Sequence, residues 1–384
     1  MHVTFPRSAL LSILKITVPV SDPKSPMPAL ANVLIDAGDG AMSVTATDIY
    51  RSAHGTLSEG VVVTKPGRSA LPGKGLLQRV EAMPEGPVEI VVGADEATTI
   101  KSLVRTKLLY KMTGLPASQF PSIATPKDDA RWIALPSDAL RGVLDKTFFC
   151  ASDDTTRANF NCVVLTIGNG KIRGAACDGH RAAIVVRPVD GAKDDLTVLV
   201  PKNGADHLRK IVDDAAAQKV PVEMLIDGPN IMFRVGHTRY SVKLTEAVSP
   251  PYDRFMPVNQ PYKMRLPRKA MIDAVKATTI AADDKTGEVL LSFKANEVTL
   301  SASDSAKGAA SDTLAIDYAG EPVALGFFAP YLIETLTKID SDEIIFECSP
   351  PPKAGTTESN GATIAPTPCP EGHSDTFLVL PLYR

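Results

Sequence analysis

Aromatic residues are scarce in this 384-residue chain: they make up 5% of it, with a single tryptophan. Its cores must therefore be mostly aliphatic, and no RNP-type aromatic motif or C₂H₂ finger is present to read bases. Long apolar runs are missing too. No stretch approaches the roughly 20 residues that span a bilayer. The moderately apolar N-terminus is broken by Pro6, Arg7 and Lys15, which argues against a signal peptide. The five cysteines, Cys150, Cys162, Cys177, Cys348 and Cys369, form no CxxC pair and are odd in number. They read as reduced thiols of a cytoplasmic protein, not as a disulfide framework. Excess positive charge is also lacking. The formal net charge is −3, whereas a nucleic-acid-binding domain is usually basic.

The marks of catalysis are equally thin. Cys177 with His180, and Cys369 with His373, each have part of a metal-ligand spacing, but no second pair accompanies either. Nothing by spacing orients a Cys/His nucleophile pair. Gly73-Lys74-Gly75 lacks the frame of a phosphate-binding loop and reads as a basic helix start. Asp48, Asp178 and Asp304 recur at strand ends in different parts of the chain, where capping a turn is the expected role. No catalytic residue, metal site or cofactor is expected.

What the chain does have is repetition. It is 44% hydrophobic and 22% charged, the balance of a globular protein, with room for roughly two to four domains. Pro6, Pro136 and Pro267 lie 130 and 131 residues apart, and each opens an amphipathic stretch. A second set, Pro72, Pro201 and Pro330, is spaced 129 and 129. Proline suits a first helical turn, where its missing N–H has no partner anyway. Between the two helices a strand recurs, ending at Asp48, Asp178 and Asp304; after the second helix another begins near Pro87, Pro221 and Asp342. Elements recurring in one order at one period indicate tandem domain duplication, with a period too long for a solenoid. Strands outnumber helices and the connections look like hairpins, so the sheets should be mainly antiparallel. The linkers are 122–130 and about 258–261. The segment Ser349–Asp375, rich in Pro, Thr, Gly and Ser, reads as a mobile loop inside the third repeat.

The distribution of charge then changes the meaning of the net value. Over the predicted helices (6–17, 72–80, 136–147, 201–212, 267–277 and 330–338) there are 13 basic and 5 acidic residues, a balance of +8. The remainder carries −11, which restores the total of −3. A basic helical surface on an acidic protein fits contact with phosphates without base reading. The candidate DNA-contacting residues are Arg7, Lys15, Lys74, Arg79, Arg141, Lys146, Lys202, Arg209, Lys210, Arg268, Lys269, Lys276 and Lys338.

At this point the residues resemble a known family. The resemblance rests on Pro28–Asn32 with Thr47-Asp48, on Phe120-Pro121, on Asp178-Gly179-His180-Arg181, on the run from Pro250 to Pro257, and on the tail Leu378–Arg384. Together these look like the beta subunit of bacterial DNA polymerase III, the sliding clamp, over nearly the whole chain. The resemblance implies an α+β fold of three tandem DNA-clamp domains (1–125, 130–256 and 262–384), each with two helices packed on antiparallel sheets. It implies a ring closed as a head-to-tail homodimer around double-stranded DNA, bound without regard to sequence. The function implied is that of a processivity factor that tethers the DNA polymerase III catalytic subunit, the clamp loader and other carriers of clamp-binding peptides, with no activity of its own and no membrane role. A paralogous clamp, or a clamp-like protein, with altered partners is the alternative. Lys24 stands where the family places a basic DNA-contacting residue. The family's peptide pocket, carried over by position, comprises Phe160, Cys177, Gly179, His180, Arg181, Ala182, Pro250, Arg254, Phe255, Tyr331, Val379, Leu380, Pro381 and Leu382. Ala182 replaces a typical leucine, Thr286 a common aromatic and Phe328 a frequent asparagine.

Overall fold

The computed structural model describes residues 1–127, 129–190, 195–350 and 361–382. Six helices stand where the recurring prolines point: α1 (Arg7–Thr17), α2 (Gly73–Glu81), α3 (Ser137–Thr147), α4 (Lys202–Ala217), α6 (Arg268–Thr279) and α7 (Ala329–Thr337). A single turn, α5 (Tyr252–Phe255), precedes the third repeat. The prolines sit one position earlier than first-turn proline predicts. Pro6, Pro72 and Pro267 are N-caps, and each is also the last residue of a strand. Proline's fixed φ suits that non-helical cap, and its missing N–H takes nothing from the helix. Only Pro330 lies within its helix's first turn.

A further repeated feature escaped the sequence reading. Thr17, Thr147 and Thr278 each follow their proline by eleven residues and are all buried. Each hydroxyl donates to the carbonyl one turn back: Ile13 at 2.9 Å, Val143 at 2.7 Å and Ala274 at 2.8 Å. That bond is what allows a polar residue on the apolar face of a helix.

The residues cluster into two compact units: Met1–Asp138 with Asp206–Leu244, and Ala139–Ala205 with Thr245–Arg384. Among the described residues the first holds a five-stranded and a nine-stranded sheet, the second an eight-stranded and a four-stranded sheet. The division runs through the central repeat because strands pair across repeat junctions. In the first unit, Arg51–Leu57 of the first repeat pairs antiparallel with Thr238–Lys243 of the second, with Arg51 opposite Val242. In the second unit, Arg181–Pro188 pairs in the same way with Ser374–Val379, with Arg181 opposite Val379.

Each unit buries helices on the inner faces of its sheets. Leu10 and Leu14 of α1 lie with Leu76 and Val80 of α2 in the first unit; Met271 and Val275 of α6 lie with Leu332 and Leu336 of α7 in the second. Each such side chain contributes about 1.5–3 kcal/mol of transfer free energy, and all of these are aliphatic or Met. The segment Ser349–Asp375 is not one loop. Ala362–Thr367 forms a strand between Glu343–Cys348 and Ser374–Val379, with Ala362 and Ile364 fully buried. The surrounding Pro, Gly and Thr composition hides this short apolar core. Residues 351–360, also part of that predicted loop, lie outside the described residues.

Candidate peptide pocket and basic surface

Three turns carry the recurring aspartates. Asp48 Oδ1 accepts from the backbone N–H of Tyr50 and of Arg51 (3.1 and 2.6 Å). Asp178 Oδ1 accepts from His180 and Arg181 (2.9 and 3.0 Å), and Asp304 Oδ1 from Ala306 and Lys307 (2.8 and 2.9 Å). These aspartates cap turns, as Asp does where the backbone must reverse.

At the second of these turns lies an apolar cavity of about 270 Å³, lined by Phe160, Cys177, Gly179, His180, Arg181, Ala182, Phe255, Leu378 and Leu380. Eight of these are residues the resemblance assigns to a peptide pocket. The ninth, Leu378, was missed, although strand alternation carries the signal: Leu378 and Leu380 lie two apart and share a face. The same alternation turns Val379 away from the cavity, and it is fully buried. Pro250, Arg254, Tyr331 and Pro381 do not line the cavity. Tyr331 flanks it through neighbours, with His180 stacked on its ring at 6.2 Å and the Arg181 guanidinium 4.4 Å from its centroid. Leu382 instead lines a separate cavity beside the third repeat's sheet.

The pocket is apolar although it includes an arginine, because Arg181 is held. Its guanidinium bonds Asp178 (3.0 Å), Glu334 (2.6 Å) and the carbonyl oxygen of Phe149 (2.8 Å). Burial pushes the Cys177 thiol up to about 11, so it is protonated at neutral pH and serves as wall, not as nucleophile.

Register explains why this junction has an apolar pocket. Lys243 donates its N–H to the Tyr50 carbonyl and Leu380 donates to the His180 carbonyl, both at 2.8 Å, so the two junctions superpose residue by residue. Gly179, Ala182, Leu378 and Leu380 at the second junction correspond to Ile49, Ser52, Ser241 and Lys243 at the first. A bulky Ile, two hydroxyls and an ammonium stand where the pocket has a glycine, an alanine and two leucines.

The basic residues separate into two groups. Arg7 donates to the carbonyls of Val80 and Glu81 at the end of α2 (3.0 and 2.8 Å). Its counterpart Arg268 donates to those of Leu336, near the end of α7, and Ser341 (3.4 and 2.5 Å). Both add a side-chain donor to carbonyls at or just beyond a helix C-terminus. Lys146 pairs with Asp375 and Asp340 (2.8 and 2.7 Å), and the buried Arg187 also bonds Asp375. Lys202 bonds the carbonyl of Ala151 and Asp153, both at 2.6 Å, and Arg79 donates to Gly75 (2.8 Å). Lys210 and Arg209 lie against Asp206 (2.9 and 3.8 Å). Lys15, Lys24, Lys74, Arg141, Lys269 and Lys276 are exposed. Lys338 is the C-cap of α7, just outside the helix. On the observed bounds the six helices opened by the recurring prolines carry 12 basic and 8 acidic residues, a balance of +4 instead of +8. The fall comes from Lys338 leaving the count and from Glu81, Asp213 and Asp214 entering it, since α2 and α4 run further than expected.

Models of the DNA polymerase III beta subunit match the chain in three parts: the N-terminal domain at residues 1–124, the central domain at 134–251 and the C-terminal domain at 253–358. The beta sliding clamp of Caulobacter vibrioides is 27% identical over 358 residues, covering 91% of this chain and 94% of that protein. The beta sliding clamp of Escherichia coli K12 is 24% identical over 347 residues, covering 90% and 92%. A crystal structure of the Bartonella birtlesii sliding clamp bound to griselimycin matches at a TM-score of 0.87 with 26% identity, covering 100% of both chains. None of these relatives points to a clamp-like protein of another kind. The chain belongs to the DNA polymerase III beta subunit family, the bacterial sliding clamps.

Proposed function

We propose that this sliding clamp closes as a head-to-tail homodimer around duplex DNA and holds its partners by a peptide seated against Leu378 and Leu380. One observation carries the closure. In both internal junctions the strand that follows the Asp turn of one repeat pairs with the last strand of the next. The third repeat's corresponding strand, Gly308–Ala315, and the first repeat's last strand, Leu109–Thr113, are the end strands of their sheets. Joining these two edges between chains repeats the internal junction and removes the exposed edges that a sheet otherwise presents. Register carried over from the internal junctions through the strand pairings sets Ser311 opposite Leu109 of the partner subunit.

The domain limits that fit this scheme are 1–125, 130–256 and 262–384. Lys15, Lys24, Lys74, Lys269 and Lys276 are the phosphate-facing set, since they are exposed ammonium groups on or beside the repeated helices. A grip made by flexible ammonium groups on phosphates fixes no base register, which sliding requires. The chain acts as a processivity factor, with no catalysis of its own. The test is topological: protein assembled on nicked circular duplex by a clamp loader should stay bound through gel filtration and run off once the circle is cut. Equal retention on circular and linear DNA would show surface binding instead of encirclement.

A further inference from the structure

At the first junction one row of side chains crosses five strands. Thr45 stands opposite His54, His54 opposite Arg239, Arg239 opposite Arg234, and Arg234 opposite Glu223. Directly opposed residues point to the same side of a sheet. Their chain neighbours point to the helices: Tyr240 lies 4.8 Å from His207 of α4, and a side chain at Gly55 would strike Ile13 of α1. The row therefore occupies the face turned away from the helices. At the second junction the positions of His54 and Arg239 hold Ile184 and Thr376, so neither is basic there.

Within the row the charges do not balance. Arg234 holds Glu223 through two parallel bonds, Nε at 2.6 Å and Nη2 at 2.8 Å, and its guanidinium lies 4.5 Å from the Trp132 ring centroid. Both ring nitrogens of His54 are engaged, by Thr45 and Thr56 (2.9 and 3.3 Å). Burial, and then the charge of Arg239, lower its pKa, so it is neutral at neutral pH. Asp36 is paired with Arg68 at 3.0 Å. Arg239 is left over. It is half-buried, burial alone shifts its pKa, downward, and among the described residues no carboxylate is bonded to it. A guanidinium that has lost part of its water without gaining an anion is poised to take one. Lys243 lies four residues further along the same face of that strand; it is exposed and likewise has no carboxylate partner among the described residues.

We propose that this face takes an acidic segment of a partner protein. Arg239 receives an Asp or Glu carboxylate as Arg234 receives Glu223, and Lys243 receives a second. The spacing favours a peptide. Arg239 and Lys243 lie about 13 Å apart along an extended strand, which is the separation of two side chains four residues apart in an extended peptide laid beside it. The half-buried ring of Trp132, next to Arg234, offers an apolar neighbour to the same segment. A nucleic-acid backbone fits less well, because its continuous charge would also lie over Glu223 and Asp36.

Trp132 is the chain's single tryptophan, so its emission reports on this face. The full chain is titrated at low salt with a tryptophan-free peptide of alternating Glu and Ala, and with its Gln-for-Glu version. The Glu peptide should shift the Trp132 emission and bind about tenfold tighter than the Gln peptide. Arg239→Gln should erase that gain and Lys243→Gln should reduce it, while Lys171→Gln, at an exposed lysine of the second repeat, should leave it intact. Arg239→Gln should also keep the native urea midpoint, since it breaks no ion pair of the free protein; a variant that unfolds much earlier gives Arg239 a structural role and overturns the proposal. Equal affinities of the two peptides, or a gain that survives Arg239→Gln, overturns it too. An oligothymidylate or inorganic phosphate that gives the same Arg239-dependent shift at no higher concentration assigns the face to phosphates and overturns the acidic peptide.

Discussion

The backbone N–H of Leu380 donates to the carbonyl oxygen of His180 at 2.8 Å, which fixes the tail against the Asp178–Arg181 turn. Leu378 and Leu380 thereby line an apolar cavity together with Gly179 and Ala182. Replacing Leu380 by Lys gives this junction the residue its counterpart carries, Lys243. It should weaken a clamp-binding peptide about 100-fold, the order expected when an ammonium replaces a half-buried leucine wall, while the dimer remains. Anisotropy titration with light scattering reads both. An unchanged peptide affinity removes the pocket from the account.

The basic residues divide by what they touch, and the division has measurable consequences. Lys15, Lys74, Lys269 and Lys276 changed together to Glu should shorten retention on circular DNA and flatten its dependence on salt, because fewer counterions are released on binding. Arg7→Ala should instead lower the urea stability by about 1–2 kcal/mol, since it removes two hydrogen bonds to carbonyls at the end of α2, with the salt slope kept. A steep salt slope in the quadruple variant would place the DNA elsewhere.

His207 predicts a pH dependence. It is 4% exposed and lies 4.8 Å from the ring of Tyr240. Burial first, and then the charge of Arg51, depress it to about 4. An unfolded chain takes up this proton near pH 6.5, whereas the folded chain refuses it until about pH 4. The stability is therefore complete above about pH 6.5 and is lost progressively as pH falls to about 4, by roughly 3 kcal/mol at most. His207→Gln should lower stability at pH 7.5 and flatten the loss between pH 6.5 and 4.5. Chemical denaturation across that range measures it, and a variant with the same slope as the native chain refutes the assignment.

Much of this was legible because duplication repeats a signal three times. The proline periods located six helices, and the Asp turns marked the junctions. What stayed hidden has physical causes. Leu378 is hard to find in sequence because the tail's short apolar-Pro-apolar motif hides its strand alternation. The strand Ala362–Thr367 was masked by its Pro- and Thr-rich surroundings. The charge of Arg7 and Arg268 looked available for DNA because sequence shows which residues are basic but not which carbonyls need a donor. The end of α4 was set too early, since Asp213 and Asp214 continue its solvent face without breaking the helix.

The closing contact is tested most directly by a pair of cysteines. In the internal junction His54 stands opposite Arg239, and the equivalent positions across two chains are Ser311 and Leu109. Directly opposed residues on antiparallel strands bring their Cβ atoms to about 4.5–5.5 Å, near the reach of a disulfide. Leu109→Cys combined with Ser311→Cys should, under mild oxidation, yield a covalent species of twice the 40.8 kDa chain on a non-reducing gel, with neither single variant doing so. A double variant that stays entirely monomeric on that gel, while running at 40.8 kDa in solution at every concentration, contradicts the head-to-tail ring.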